Sequence, residues 1–297
     1  MSKTPIQALE KLTAKRKPTP ATKPKAKVAP APQLTLPLWP DSVRGIPNAV
    51  LRGALFTVNQ RRETFKKLTL LTAVEGVEIR YRGERLNQTD LDVYEMLLHL
   101  ARSQPLGNRV EFSTNALLRE LGRKTGKTQH DQLHEELTRL RSGTVDMRWT
   151  EDKRGFFGGL IVKGYRDEDS GRYIVILEPD IMRMYKNGYS HIDWSQRKAL
   201  GTNNLAKWAH GFFSTHATPF PYKVATIKEL CGSTVERLGD FRKMLRAALD
   251  NLVAVGALLD WEIDRNDLVH VKRVPSTSQQ KHIVRQAKAR HLVPGRG

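Results

Sequence analysis

The stretch Phe241–Gly256, FRKMLRAALDNLVAVG, constrains the fold most, because its two faces carry different chemistry. Phe241, Leu245, Ala248, Leu252 and Val255 recur at helical spacing, while Arg242, Lys243 and Arg246 fall on the opposite side. One face requires a core and the other suits an anion. Upstream, 226–231 reads as a short apolar helix; downstream, strand-like runs at 258–263 and 268–274 flank the polar turn Asp264-Arg265-Asn266-Asp267. Helix, turn, second helix and hairpin is the order of a winged helix, in which the second helix is shaped for a DNA major groove.

The first half carries a similar order. Strands are expected at 68–72 and 77–81, an amphipathic helix at 89–101, a short strand at 110–112, and helices at 113–121 and 129–141. A hairpin of 144–150 with 160–165 and a strand at 172–177 follow; the second half opens with helix 180–186, strand 189–193 and helix 204–213. STNALLRELG then HEELTRLRSGTVDMRW in one half answers VATIKELCG then LRAALDNLVAVGALLDWE in the other. Repetition on this scale predicts an α+β chain of two tandem winged-helix domains, at 41–178 and 179–274.

Charge marks the ends. Residues 1–32 hold eight Lys/Arg against one Glu, and 275–297 hold five and no acid, so the tails carry +12 of a net +19. The first is a Pro/Lys/Ala/Thr arm too poor in large apolar residues to order itself, and the second is a basic tail. Such an excess suits a polyanion, although any specific site on the body must come from local clustering of base-reading side chains. No apolar run reaches the ~18 residues of a membrane span, and no signal core follows the N-terminal lysines, so a cytoplasmic protein is expected. Cys231 is the single cysteine and reads as a buried, inert thiol.

Candidate DNA contacts in the second domain are Arg237, Arg242, Lys243, Arg246 and, at the hairpin tip, Arg265. Arginine is the usual bidentate reader of guanine and lysine more often neutralises phosphate. Ser233-Thr234-Val235-Glu236 fits a capping box that would start this helix near Thr234, with Asp240 as the competing start. In the first domain the candidates are Lys124 and Lys127 in the turn GRKTGKT, His130 and His134 on the following helix, and Lys153 and Arg154 as a wing. GRKTGKT has three residues between its glycines where a phosphate-binding loop needs four, and HDQLHEE lacks the glutamate after the first histidine that a zinc protease helix needs. Without a nucleophile, metal cluster or carboxylate pair, no cofactor is expected and the chain reads as a non-enzyme.

The body from Gln33 to Arg273 resembles the TrfA-type plasmid replication initiators, relatives of the iteron-binding Rep proteins. The resemblance rests on WPDSVRGIPN, RGALFT, PFPYKVATIKELCGS and NDLVHVKR, with an aromatic residue, Phe241, ten positions beyond Cys231. It implies a bacterial plasmid initiator that binds repeated duplex origin sites as a monomer and stores itself as an inactive homodimer. It further implies melting of an AT-rich element, with single-stranded AT-rich DNA as a further ligand, and recruitment of the host initiator and replicative helicase. The segment 33–40, QLTLPLWP, then looks like a sliding-clamp-binding peptide through Gln33, Leu34, Leu36 and Leu38, with self-docking of an apolar strand as the alternative. A winged-helix transcriptional repressor is the competing function, and an origin nickase or primase a more distant one.

Overall fold

The computed structural model describes residues 36–104, 108–151, 154–180, 184–276 and 279–280. The arm at 1–32, Gln33, Leu34, Lys153, the middle of the helix expected at 180–186 and the tail beyond Gln280 lie outside them. Among the described residues no helix is long and apolar enough to cross a membrane.

Strand β1 (Val43–Pro47) and a helical turn α1 (Asn48–Leu51) lead to a hairpin, β2 (Thr64–Leu71) with β3 (Val77–Glu84). Helix α2 (Gln88–Ala101) begins in a complete capping box. The Asn87 side chain accepts from Thr89 N and Asp90 N, and the Asp90 carboxylate accepts from Asn87 N. Strand β4 (Arg109–Ser113), helix α3 (Thr114–Glu120) and helix α4 (Lys127–Ser142) follow, then strands β5 (Thr144–Trp149), β6 (Arg154–Gly158), β7 (Ile161–Asp167) and β8 (Arg172–Leu177). Strand β9 (Tyr189–Asp193) and helix α5 (Trp194–Ala199) precede the second module. That module comprises helix α6 (Asn204–Ser214), strand β10 (Tyr222–Lys223), helices α7 (Val224–Leu230) and α8 (Leu238–Ala254), and strands β11 (Asp260–Ile263) and β12 (Leu268–Lys272).

Both modules run helix, short strand, helix, helix, hairpin, and both fold the strands into an antiparallel sheet with the third strand in the middle, β4-β8-β7 and β10-β12-β11. These are two winged helices. The turns between their paired helices match in detail. Gly122 and Gly232 sit at φ 72° and 65°, and the next residue donates back five positions, Arg123 N to Leu118 O and Ser233 N to Lys228 O. This closes the helix end through a conformation that a side chain would strain. The expected turn at GRKTGKT is therefore present, with Gly126 as the N-cap of α4.

The hairpin expected between 144–150 and 160–165 does not form. β5 pairs instead with β6 and β3, in a second sheet of order β2-β3-β5-β6, and β7 pairs with β8. Alternation identifies a strand but not its partner, and here the insertion β5-β6 separates the recognition helix from its wing. Arg154 therefore opens β6 and is not on the wing. Gly143 does end α4, with extended backbone at φ −70°. It is glycine because a Cβ there would strike the Tyr81 ring and hydroxyl.

The two cores interlock. Val58, on the strap between α1 and β2, is buried in the second core, and Thr57 and Asn59 donate side-chain hydrogen bonds to Gly232 O at 2.9 and 2.8 Å. In return β9 pairs with β1, carrying Tyr185, Ile192 and Trp194 into the first core. Along the chain the first core thus runs to Trp194 and the second, Val58 apart, begins at Leu200; long-range pairing with β1 has no signal in local periodicity. Between the cores, Asp92 of α2 bonds Arg197 of α5 at 2.8 Å and Lys207 of α6 at 2.6 Å, and Glu95 lies 2.8 Å from the same Arg197 Nε. Arg197 is 1% exposed and also donates to Gln88 Oε1 and Lys207 O.

Burial pushes the Glu95 carboxyl up to about 7 from its ordinary 4.5, with Arg197 opposing the shift. The folded state then holds a proton that the unfolded chain has already lost between those two values, so this group's contribution to stability falls as pH rises through that window. Urea unfolding of Glu95→Gln should show a flatter decline of stability from pH 4.5 to 7 than the wild-type chain. Equal slopes would remove Glu95 as the source.

Candidate nucleic-acid interface

Helix α8 is placed by its apolar stripe. Phe241, Leu245, Ala248, Leu249 and Leu252 are all fully buried, each large one stabilising by roughly 1.5–3 kcal/mol. Gly256 at φ 74° closes the helix, and Ala257 N donates to Leu252 O. Its start is not the expected capping box. Arg237 is the N-cap, without a side-chain bond to the helix, while Ser233 Oγ is used in the preceding turn by Val235 N. Asp240 supplies the acidic residue that the first turn favours.

The outward face of α8 carries Gly239, Lys243, Arg246 and Ala247, all exposed. Small residues at two of these positions leave room for a close approach. Arg237, Arg246 and Arg265 are exposed and their side chains make no hydrogen bond or ion pair with the described residues. Lys243 has only Asp240, at 3.8 Å with both groups exposed, a contact that contributes little in water. These four cations surround one side of the helix and its wing.

Arg242 differs from them. Its Nε and Nη2 donate to the two carboxylate oxygens of Asp267 at 2.8 and 2.9 Å, a two-bond fork that joins α8 to the start of β12. The bonds hold the Asp267 carboxyl below the usual range and raise the Arg242 guanidinium. Asp250 similarly accepts from Trp261 Nε1 on β11 at 3.0 Å. Sequence spacing offered no sign of either link, because the partners lie 25 and 11 residues apart.

In the first module Lys124 and Lys127 are exposed on the turn and at the start of α4, again without ion-pair partners among the described residues. The two histidines are otherwise engaged: His130 Nε2 lies 2.8 Å from Asn115 Oδ1 and His134 Nδ1 lies 3.1 Å from the Tyr173 hydroxyl. The rest of the exposed face of α4 includes Asp131 and Glu135, and the tip of its wing is Asp167-Glu168-Asp169. Exposed Arg166 and Arg172 flank that tip on β7 and β8. The two modules share a fold and differ in which charges stand at the helix centre and the wing tip.

The peptide at 36–39 folds against its own domain. Leu36 and Trp39 are buried in the first core at 4% and 5% exposure, while Leu38 stands 82% exposed. The Trp39 ring stacks on Tyr185 and covers Gly45, where a Cβ would come within 2.6 Å of it. Its Nε1 donates to His99 Nδ1 at 3.1 Å, which requires a neutral imidazole; burial supplies that by lowering His99 to about 4.

Comparison with known proteins places these features in a family. The model of the family described as TrfA protein matches residues 13–273. A curated relative, the plasmid replication initiator protein TrfA of Escherichia coli, is 28% identical over 245 residues, which cover 79% of this chain and 63% of that protein. Among solved structures, domains 2 and 3 of RctB align with TM-score 0.49 at 12% identity, over 70% of this chain and 85% of that one. The Pi initiator protein in complex with iteron DNA aligns with TM-score 0.44 at 12% identity, over 67% of this chain and 96% of that one.

Proposed function

This chain belongs to the TrfA protein family, and on that premise we propose that it is a plasmid replication initiator whose second winged helix selects repeated duplex sites at an origin. The observation that carries the reading is the exposed cationic set on α8 and its wing, Arg237, Lys243, Arg246 and Arg265, of which only Lys243 has an ion-pair contact among the described residues, backed by a fully buried apolar stripe. A helix held on one side and charged on the other can enter a major groove without rearrangement. The name of the curated relative supports the same reading, although this chain spans only 63% of that protein's length.

Within this proposal the modules divide the work. Arg246, on the outward middle of the helix, reads a base edge, and Lys243 neutralises a phosphate. Lys124 and Lys127 of the first module add backbone contacts, while its acidic wing tip stays off the duplex. Origin opening with contacts to single-stranded AT-rich DNA, recruitment of the host initiator and helicase, and storage as an inactive dimer complete the reading. So does action in the bacterial cytoplasm. Engagement of a sliding clamp by Gln33, Leu34, Leu36 and Leu38 belongs to it too, and it asks Leu36 to leave the core in which it is buried.

Arg246→Ala should cost about 1–3 kcal/mol on the cognate repeat and relax preference at one base pair. Lys243→Ala should weaken cognate and random duplexes alike and lower the salt slope by about one. Fluorescence anisotropy over a salt series reads both, and equal losses for Arg246→Ala on cognate and random DNA would sink the base-reading assignment. For the clamp, Leu38→Ala changes an exposed side chain, so it should reduce capture of the full chain by immobilised clamp without altering Tm. Unchanged capture by Leu38→Ala and Gln33→Ala would remove the clamp from the proposal.

A further inference from the structure

The two modules meet their wings in the same way at the backbone and differently at one side chain. In the first, Thr114 N, at the start of α3, donates to Gly171 O, the residue just before β8. In the second, Val224 N, at the start of α7, donates to Asp267 O, the residue just before β12. Gly171 and Asp267 are thus equivalent, and their backbones agree, at φ 61° and 63°. Glycine takes that left-handed conformation at little cost, and aspartate takes it under strain. Asp267 is the only non-glycine at positive φ among the described residues.

We propose that Asp267 holds this strained position in order to fix the second wing to the recognition helix through Arg242, and that Arg242 is a positioning residue for DNA recognition. This rests on the reading of α8 as the helix that enters the DNA. Through one residue the wing is tied to both helices of the pair, by the Asp267 carbonyl to α7 and by its carboxylate to α8. Asp264 stiffens the same turn, with its Oδ1 accepting from Asn266 N and Leu268 N at 2.9 Å each. Arg265, between these two aspartates, is exposed and unpaired, so the tie sets where its guanidinium stands relative to Arg246. Among the described residues the first module shows no ion pair from helix to wing: its side-chain contact there is His134 with the Tyr173 hydroxyl, and its wing tip is acidic. The charged tie is present where an arginine, Arg265, stands at the tip of the turn itself.

The substitution that separates a strut from a structural residue is Asp267→Gly, which restores the sister module's residue and relieves the backbone. Tm should hold or rise, while affinity for the cognate repeat falls about tenfold, the scale of one lost protein–DNA contact. Arg242→Ala should lose a similar factor without changing the preferred base sequence, and the double variant should be no weaker than either single one. In the Asp267→Gly background, Arg265→Ala should add little. Wild-type affinity for Asp267→Gly overturns the proposal, and so does a changed base preference for Arg242→Ala alone, which would make Arg242 a direct reader. Arg246→Ala on the same duplex is the control: if it too is silent, α8 does not read DNA, and the failure lies with that reading.

Discussion

Arg197 is a guanidinium with 1% exposure, and the arrangement of both winged helices depends on satisfying it. A cation taken out of water costs several kcal/mol unless charges and hydrogen bonds surround it. Its partners come from two elements, Asp92, Glu95 and Gln88 on α2 and the Lys207 carbonyl on α6, so with Arg197 itself on α5 the cluster joins three. Rotating one module against the other would expose or strand at least one of these charges. An apolar contact between the modules could slide, whereas this cluster has one geometry. The strap through Val58 and the β1–β9 pair then act on an orientation already specified.

The parts legible in the sequence are those governed by local periodicity. The stripe Phe241, Leu245, Ala248 and Leu252 was readable because 3.6-residue spacing is a property of the chain itself, and so were the glycine turns at Gly122 and Gly232 and the hairpin around Asp264 to Asp267. The repeat was also readable, since the same spacing and turn chemistry occur twice. What escaped were pairings across long separations: β1 with β9, β5 with β3, and the carboxylates around Arg197. The start of α8 escaped for a different reason. A serine followed by a glutamate three residues later permits a capping box without ensuring one, and here the serine serves the turn.

The candidate site shows the same division. That Lys243 and Arg246 face outward follows from their angle to the buried stripe, and the structure leaves Arg246 without a hydrogen bond or ion pair among the described residues and Lys243 with only the exposed Asp240 contact. Arg242 has much the same angle and a different fate, because a carboxylate 25 residues away holds its Nε and Nη2 in a two-bond fork. His130 and His134 repeat the lesson, each taken by a neighbour that helical spacing does not reveal. Outward angle selects candidates; hydrogen-bond partners then separate a side chain that is unpaired from one that already holds a neighbour.

A comparison internal to the chain recovers part of that information. Because the two modules share strand order and helix-turn geometry, each position in one has a counterpart in the other, and a departure from the physically cheaper residue stands out. Aspartate opposite glycine at φ near 60° is such a departure. Stability alone would favour glycine at both positions, so the difference points to a requirement that the first module lacks. The turns differ in composition too: the first wing ends in Asp167-Glu168-Asp169, while the second, Asp264-Arg265-Asn266-Asp267, sets one exposed arginine between two aspartates. Duplicated folds thereby separate what a winged helix needs in order to fold, which the modules share, from features such as the Arg242–Asp267 tie that one module has and the other lacks among the described residues.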